Sequence, residues 1–396
     1  MNVDLHSHYP MHLDPAARAA TLRAMTAPRR SDEDAIRALI LDFASRIANY
    51  RSFDSGPAVT VNSLRAGRVG VALSVLYCPF AEMDLELPYG APPKAGYFTQ
   101  LTALLETVER EIATHHAQDA GIARNPGELD ALLQAGKLAL IHVAEGGFHF
   151  GATPQEIAAN VKTLAARGLA YITVAHLFYR GVARNAPALP FLADPIYQLL
   201  FPESGPGLTD LGRALIEAMI EAHVLIDVTH MDESSLGETF GLLDGVDPAR
   251  TIPVISSHMA CRFGDLEYNL TDPWLERIAE RKGVIGIILC DHYATNGIRQ
   301  RTQTLEESLE VVAQHVDRIR NVTGSHDHAA LGTDLDGFIK PTLAGLDDAS
   351  HLWRLEDAVI ARYGATDGAK ICSENALRVL RSYWGGAGGP AVRTAG

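Results

Sequence analysis

Val224-Leu225-Ile226-Asp227-Val228-Thr229-His230 is a short, β-branched apolar run that ends on a residue able to hold a metal or a proton. Just before it, Leu215, Ile216, Met219 and Ile220 recur at helical spacing within residues 211–222. A helix followed by a near-continuously apolar strand is the unit of a parallel sheet, whose strands are covered by helices on their faces. The same unit recurs outward from this point. Strand-like runs fall at 3–5, 69–77, 138–143, 171–175, 224–228, 252–256, 284–289 and 329–331. Eight such runs alternating with helices predict an α/β fold of the (β/α)8 TIM-barrel type, with long loops at its C-terminal face.

The helices carry their own stop and start signals. Thr153-Pro154-Gln155-Glu156 is a capping box with Pro at the first helical position, and Gly168 closes that helix. Thr271-Asp272-Pro273 opens a helix that runs through Arg281, and further helices are expected over 304–320 and 375–383. Two long stretches, 78–137 and 177–208, follow strand ends, and the second is rich in proline. A barrel places its functional loops there. The expected organisation is one barrel domain over 1–384 and a disordered Gly-, Pro- and Ala-rich tail over 385–396.

Composition narrows the function. The chain has 396 residues, with 34 Lys and Arg against 48 Asp and Glu, a net charge of −14. Nucleic acid and anionic membrane both require a basic face, so neither is expected as a partner. No stretch approaches the roughly 18 apolar residues of a membrane span, and no basic n-region opens the chain. Cys78, Cys261, Cys290 and Cys372 form no CxxC pair. Four reduced thiols in a cytoplasmic protein are expected, with no sulfur-ligated metal. The 16 histidines stand out against them.

Position makes those histidines informative. His6 and His8 follow the first run, Glu145 the third, His176 the fourth, His230 the fifth and His258 the sixth. Asp291 and His292 follow the seventh run, and Asp334 and Asp336 the eighth. Parallel strands of a barrel finish at one face, so these groups converge there. Residues i and i+2 of a strand point the same way, so His6 and His8 reach a common ion. Glycines 146 and 147 allow the backbone beside Glu145 to approach closely. Four histidines and two carboxylates without cysteine suit zinc or a similar divalent ion.

The chain resembles the membrane (renal) dipeptidase family, a branch of the metal-dependent amidohydrolase superfamily. Its most specific stretches are Glu145-Gly146-Gly147, 171–176, 208–213, 225–230, 253–258, 269–272, 331–337 and 374–379. The resemblance implies two Zn2+ ions at the barrel mouth and a dipeptide or similar small molecule as substrate. His6 and His8 would bind one zinc, His230 and His258 the other, and Glu145 would bridge them. His176 would polarise the scissile carbonyl, and Asp334 would shuttle the proton of the attacking water. A homodimer is also implied.

Two departures from the family pattern bear on substrate. His8 stands where the family usually has Asp, and Tyr268 stands where it has an Arg that binds the terminal carboxylate. A tyrosine cannot form the bidentate charged pair that Arg makes. Tyr268 and Asn269 are therefore expected at the substrate, with Arg180, Arg184 or Arg262 replacing the lost charge, or else with a substrate that has no free carboxylate at that end. The alternatives are a related hydrolase of N-acyl amides or lactones, or a metal-binding scaffold without catalysis.

Overall fold

A computed structural model describes residues 1–13, 35–36, 38–40, 56–82, 84, 87–190 and 192–386. Eight parallel strands close into a barrel: β1 (Asn2–Ser7), β2 (Val69–Leu76), β4 (Leu138–Glu145), β5 (Tyr171–Thr173), β6 (Leu225–Asp227), β7 (Val254–Met259), β8 (Ile285–Ile287) and β9 (Ala329–Leu331). Closure comes from β2 pairing with β4 in continuous register, from Val71 opposite Ala139 to Leu76 opposite Ala144. The eight runs read from the sequence are these eight strands. A ninth, β3 (Ala120–Ile122), pairs in parallel with the N-terminal half of β4. Three residues, Ala-Gly-Ile, carry too little pattern to be read as a strand.

The helices lie where the caps place them. Thr153 accepts the Glu156 N–H at the start of Pro154–Ala165. Thr304 and Glu307 form a reciprocal capping box on Leu305–Thr323, and Gly324 ends that helix in the left-handed conformation. The expected 78–137 region holds β3 and the helices Gly96–His115 and Pro126–Gln134. The 177–208 region holds one helix, Asp194–Leu200. Gly385 and Gly386 belong to a short turn at Trp384–Gly386, and the remainder of the expected tail, 387–396, lies outside the described residues. No helix among the described residues is long and apolar enough to cross a membrane.

Strand register sets the height of the site. Glu145 is opposite Thr173, and Thr173 is opposite Asp227, so three adjacent strands end in one polar row. Gly146 follows at φ +90, where an added Cβ would lie 2.2 Å from the Phe148 ring. Only glycine meets both constraints, and it turns the chain sharply behind Glu145.

Candidate active site

The strand-end residues do converge. All five imidazoles at positions 6, 8, 176, 230 and 258 turn their Nε2 atoms onto Glu145. Oε1 lies 3.2 Å from His6, 3.5 Å from His258 and 3.8 Å from His230. Oε2 lies 3.3 Å from His176 and 3.5 Å from His8. Asp334 closes the ring, with Oδ1 3.0 Å from His8 and 3.7 Å from His6. His230 and Asp334 are held at φ +68 and +57, a conformation uncommon for residues with a Cβ. Such backbone persists where surrounding structure over-determines it, as at functional sites.

Supporting groups fix which ring nitrogen faces inward. Tyr171 Oη donates to Leu5 O and lies 2.6 Å from His6 Nδ1, where it accepts the ring N–H. Ser257 Oγ donates to Asp227 Oδ2 and accepts from His258 Nδ1 at 2.8 Å. Asp227 in turn accepts from the hydroxyls of Thr173 and Thr229, each at 2.6 Å. Glu82 Oε2 accepts from Tyr77 Oη at 2.6 Å and from His176 Nδ1 at 2.9 Å. These contacts occupy Nδ1 of three rings and leave Nε2 free to bind, the arrangement found around metal-ligating histidines.

The donor set fits divalent metal. Both oxygens of Glu145 are buried with no hydrogen-bond partner, and so is His6 Nε2. His230 Nε2 and His258 Nε2 are 3.0 Å apart. Buried acceptors are seldom left facing one another without a proton or cation between them. Among the described residues, three ligand groups lie close enough to hold an ion: His6–His8–Glu145, Glu145–His176–His230 and His6–His258–Asp334. Glu145 belongs to two of them. Its oxygens do not sort the histidines as the resemblance does, because His6 and His8 face different oxygens. His176, read as a substrate residue, stands within one of the ligand groups.

Electrostatics follow from this crowding. Burial opposes charge on Glu145, but His176, His6 and His8 outweigh it and hold its carboxyl well below the usual range. Burial works against His176 as well, yet Glu145 and Glu82 push it up to about 9. Burial, reinforced by neighbouring imidazoles, pushes His230 and His258 well down, which favours the neutral ligand form.

The substrate residues read from sequence separate. A narrow pocket over the site is lined by His8, His176, Leu177, His230, Tyr268 and Asp334, among others, and among the described residues that line it none is Arg or Lys. The Tyr268 ring lines it, but the hydroxyl donates to His258 O at 2.5 Å and is not free for a ligand. Arg262 is turned away, its guanidinium bound to Asn269 O and Glu267 O. Asn269 is buried against Tyr293 O. Arg180 donates from Nε to Glu82 O and from Nη2 to Asp84 O, while its buried Nη1 has no partner. Asp291 Oδ1 accepts from the Thr302 N–H and hydroxyl, and Asp336 holds the amides of Ala58 and Val59. Glu82, Tyr77, Tyr171 and Ser257 were not read from the sequence. Tyr77 follows β2, Tyr171 opens β5, Ser257 lies within β7 and Glu82 ends the short helix Pro79–Glu82, and none has a spacing to mark it.

Relatives carry the same reading. A chain from Klebsiella pneumoniae, an uncharacterised protein of the pqqA 5′ region, is 26% identical over 281 residues, 69% of this chain and 93% of that one. An uncharacterised dipeptidase of Schizosaccharomyces pombe is 22% identical over 86% of this chain and 77% of its own. The crystal structure of a metallopeptidase from Rhodobacter sphaeroides, liganded with a phosphinate mimic of the dipeptide L-Ala-D-Ala, superposes with a TM-score of 0.69. It is 19% identical and covers 97% of this chain and 99% of that one, a likeness that shows the fold. The family model for membrane dipeptidases matches residues 30–383. His6 and His8 precede that match, so geometry alone brings them to the site. Barrel, convergent histidines and family match agree: this chain belongs to the membrane dipeptidase family, peptidase family M19, and is a metal-dependent hydrolase.

Proposed function

We propose that this chain hydrolyses the amide bond of dipeptides or dipeptide-like small molecules at a site holding two divalent ions, zinc in both. The observation that supports this is Glu145, buried, without a hydrogen-bond donor, and faced by five Nε2 atoms. His6 and His8 would hold one ion, His230 and His258 the other, with Glu145 shared. Bound zinc supplies a Lewis acid that polarises a carbonyl and lowers the pKa of water toward neutrality.

The chain's own groups supply the rest. His176, oriented through Nδ1 by Glu82, would place Nε2 beside the substrate carbonyl oxygen as negative charge develops there. Asp334, at the rim of the pocket beside His8, takes the proton of the attacking water and delivers it to the leaving amine. As it stands, the pocket has room for about one water molecule.

Among the described lining residues none is Arg or Lys, which favours a substrate whose far end carries no free carboxylate. Metal-stripped and zinc-restored enzyme, assayed on dipeptides, dipeptide amides, N-acyl amino acids and lactones, tests both points. Zinc-dependent cleavage of dipeptide bonds, better for amides than for free acids, is the expected result. Turnover by the metal-free enzyme would sink the mechanism, and exclusive lactone or N-acyl cleavage would replace the substrate assignment.

A further inference from the structure

A second cavity, of about 340 Å3, lies behind the wall of the first. Segment 184–188 separates them: Ala188 lines the histidine pocket, whereas Asn185 and Pro187 line the second cavity. Its polar lining is Arg184, Asn185, Gln198, Glu203, Asp232 and Glu267, one guanidinium against three carboxylates. Most of these groups are already engaged. Arg184 Nε pairs electrostatically with Asp232 Oδ2 at 3.0 Å and Glu203 Oε2 at 3.8 Å, without a hydrogen bond to either. Gln198 Nε2 donates to Glu267, and Asp232 Oδ1 accepts the Ser235 N–H.

Two buried oxygens are left over. The Glu203 side chain is 7% exposed; its Oε2 accepts the Asn185 N–H, but Oε1 has no donor. Asn185 is 5% exposed; its Nδ2 donates to Leu177 O and Tyr197 Oη, but Oδ1 has no donor. A buried acceptor left unpaired is destabilising. Burial, reinforced by Asp232, pushes the Glu203 carboxyl up to about 8, so at neutral pH it ionises fully only when a cation joins it. Both vacancies call for hydrogen-bond donors, and the excess of carboxylates calls for positive charge. Pro187, Tyr197 and Phe201 supply apolar wall beside them. The volume is that of a small organic ligand rather than of a bare ion.

We propose that this cavity binds a primary ammonium ligand, its N–H groups taken by Glu203 Oε1 and Asn185 Oδ1 and its carbon chain lying on Pro187, Tyr197 and Phe201. The proposal is independent of the hydrolase reading. Calorimetric titration of the full-length, metal-loaded protein with butylammonium, tetramethylammonium and butanol tests it. Butylammonium is expected to saturate one site, with the other two at least tenfold weaker, because one lacks N–H donors and the other lacks charge. Glu203→Gln is expected to weaken butylammonium at least tenfold. Equal binding of the three probes, no saturable binding, or an unchanged affinity in the variant overturns the proposal. Should the variant not fold, a crystal structure with butylammonium decides. Density between Glu203 and Asn185 supports the assignment, and density only among the histidines refutes it.

Discussion

At the scale of single residues, the site is a problem of satisfying one carboxylate. Glu145 has no donor of its own, so its charge is stable only among imidazoles and cations. Glu145→Gln should abolish bound metal and turnover together while leaving the far-UV spectrum intact, because the amide cannot bridge ions. Metal analysis by mass spectrometry reads the first and the dipeptide assay the second. Glu82 acts through His176 rather than on substrate, a positioning role. Glu82→Gln should lower kcat about 10- to 100-fold with little change in KM, the usual effect of removing such a partner. A change confined to KM would contradict that role. The sequence marked the histidines because strand ends are legible. It did not mark Glu82, whose partner lies 94 residues away.

At the scale of elements, strand, turn and cap each make a separable contribution. Gly146 is the hinge that aims Glu145 inward. Gly146→Ala should destabilise the fold by about 1–3 kcal/mol through backbone strain alone, with metal lost as well. Urea denaturation with parallel metal analysis checks both. The cap of Leu305–Thr323 lies far from the chemistry, so Thr304→Ala should cost about 1 kcal/mol and leave turnover unchanged. The same helix carries a buried acid-labile contact. His315 Nδ1 accepts the Cys261 N–H and its Nε2 donates to Ala294 O. Burial lowers its pKa to about 4 from an ordinary 6.5. The folded ring thus resists a proton that the unfolded chain takes up. Its contribution is constant above pH 6.5 and declines as pH falls, reaching about 3 kcal/mol of lost stability near pH 4. The ring should stay neutral to pH 5 by NMR; a midpoint near 6.5 would contradict this. Caps and apolar runs were legible because they are local. β3 was not, since its pairing with β4, rather than its three residues, makes it a strand.

At the scale of the whole molecule, metal and fold are linked. Bringing five imidazoles and two carboxylates into one dry space is unfavourable without cations to hold them apart and neutralise the acids. Zinc binding to the folded chain alone should raise stability by about 4 kcal/mol at a thousandfold excess over Kd. Thermal unfolding of chelator-treated and zinc-restored protein should show that gain as a higher Tm. An unchanged Tm would mean that the site does not take up zinc. What the sequence determined by itself was periodic and local: eight apolar runs, the caps between them, and the polar residues that end the runs. These follow from burial of a strand on both faces and from hydrogen bonding within a few residues, and neither needs distant partners. What only the tertiary structure decided was pairwise and long-range. It assigned Glu82 to His176, consumed the Tyr268 hydroxyl and the Arg262 guanidinium on backbone carbonyls, and left Glu145 without a donor. A side chain's free valence depends on what packs against it, and that is settled only when the barrel closes.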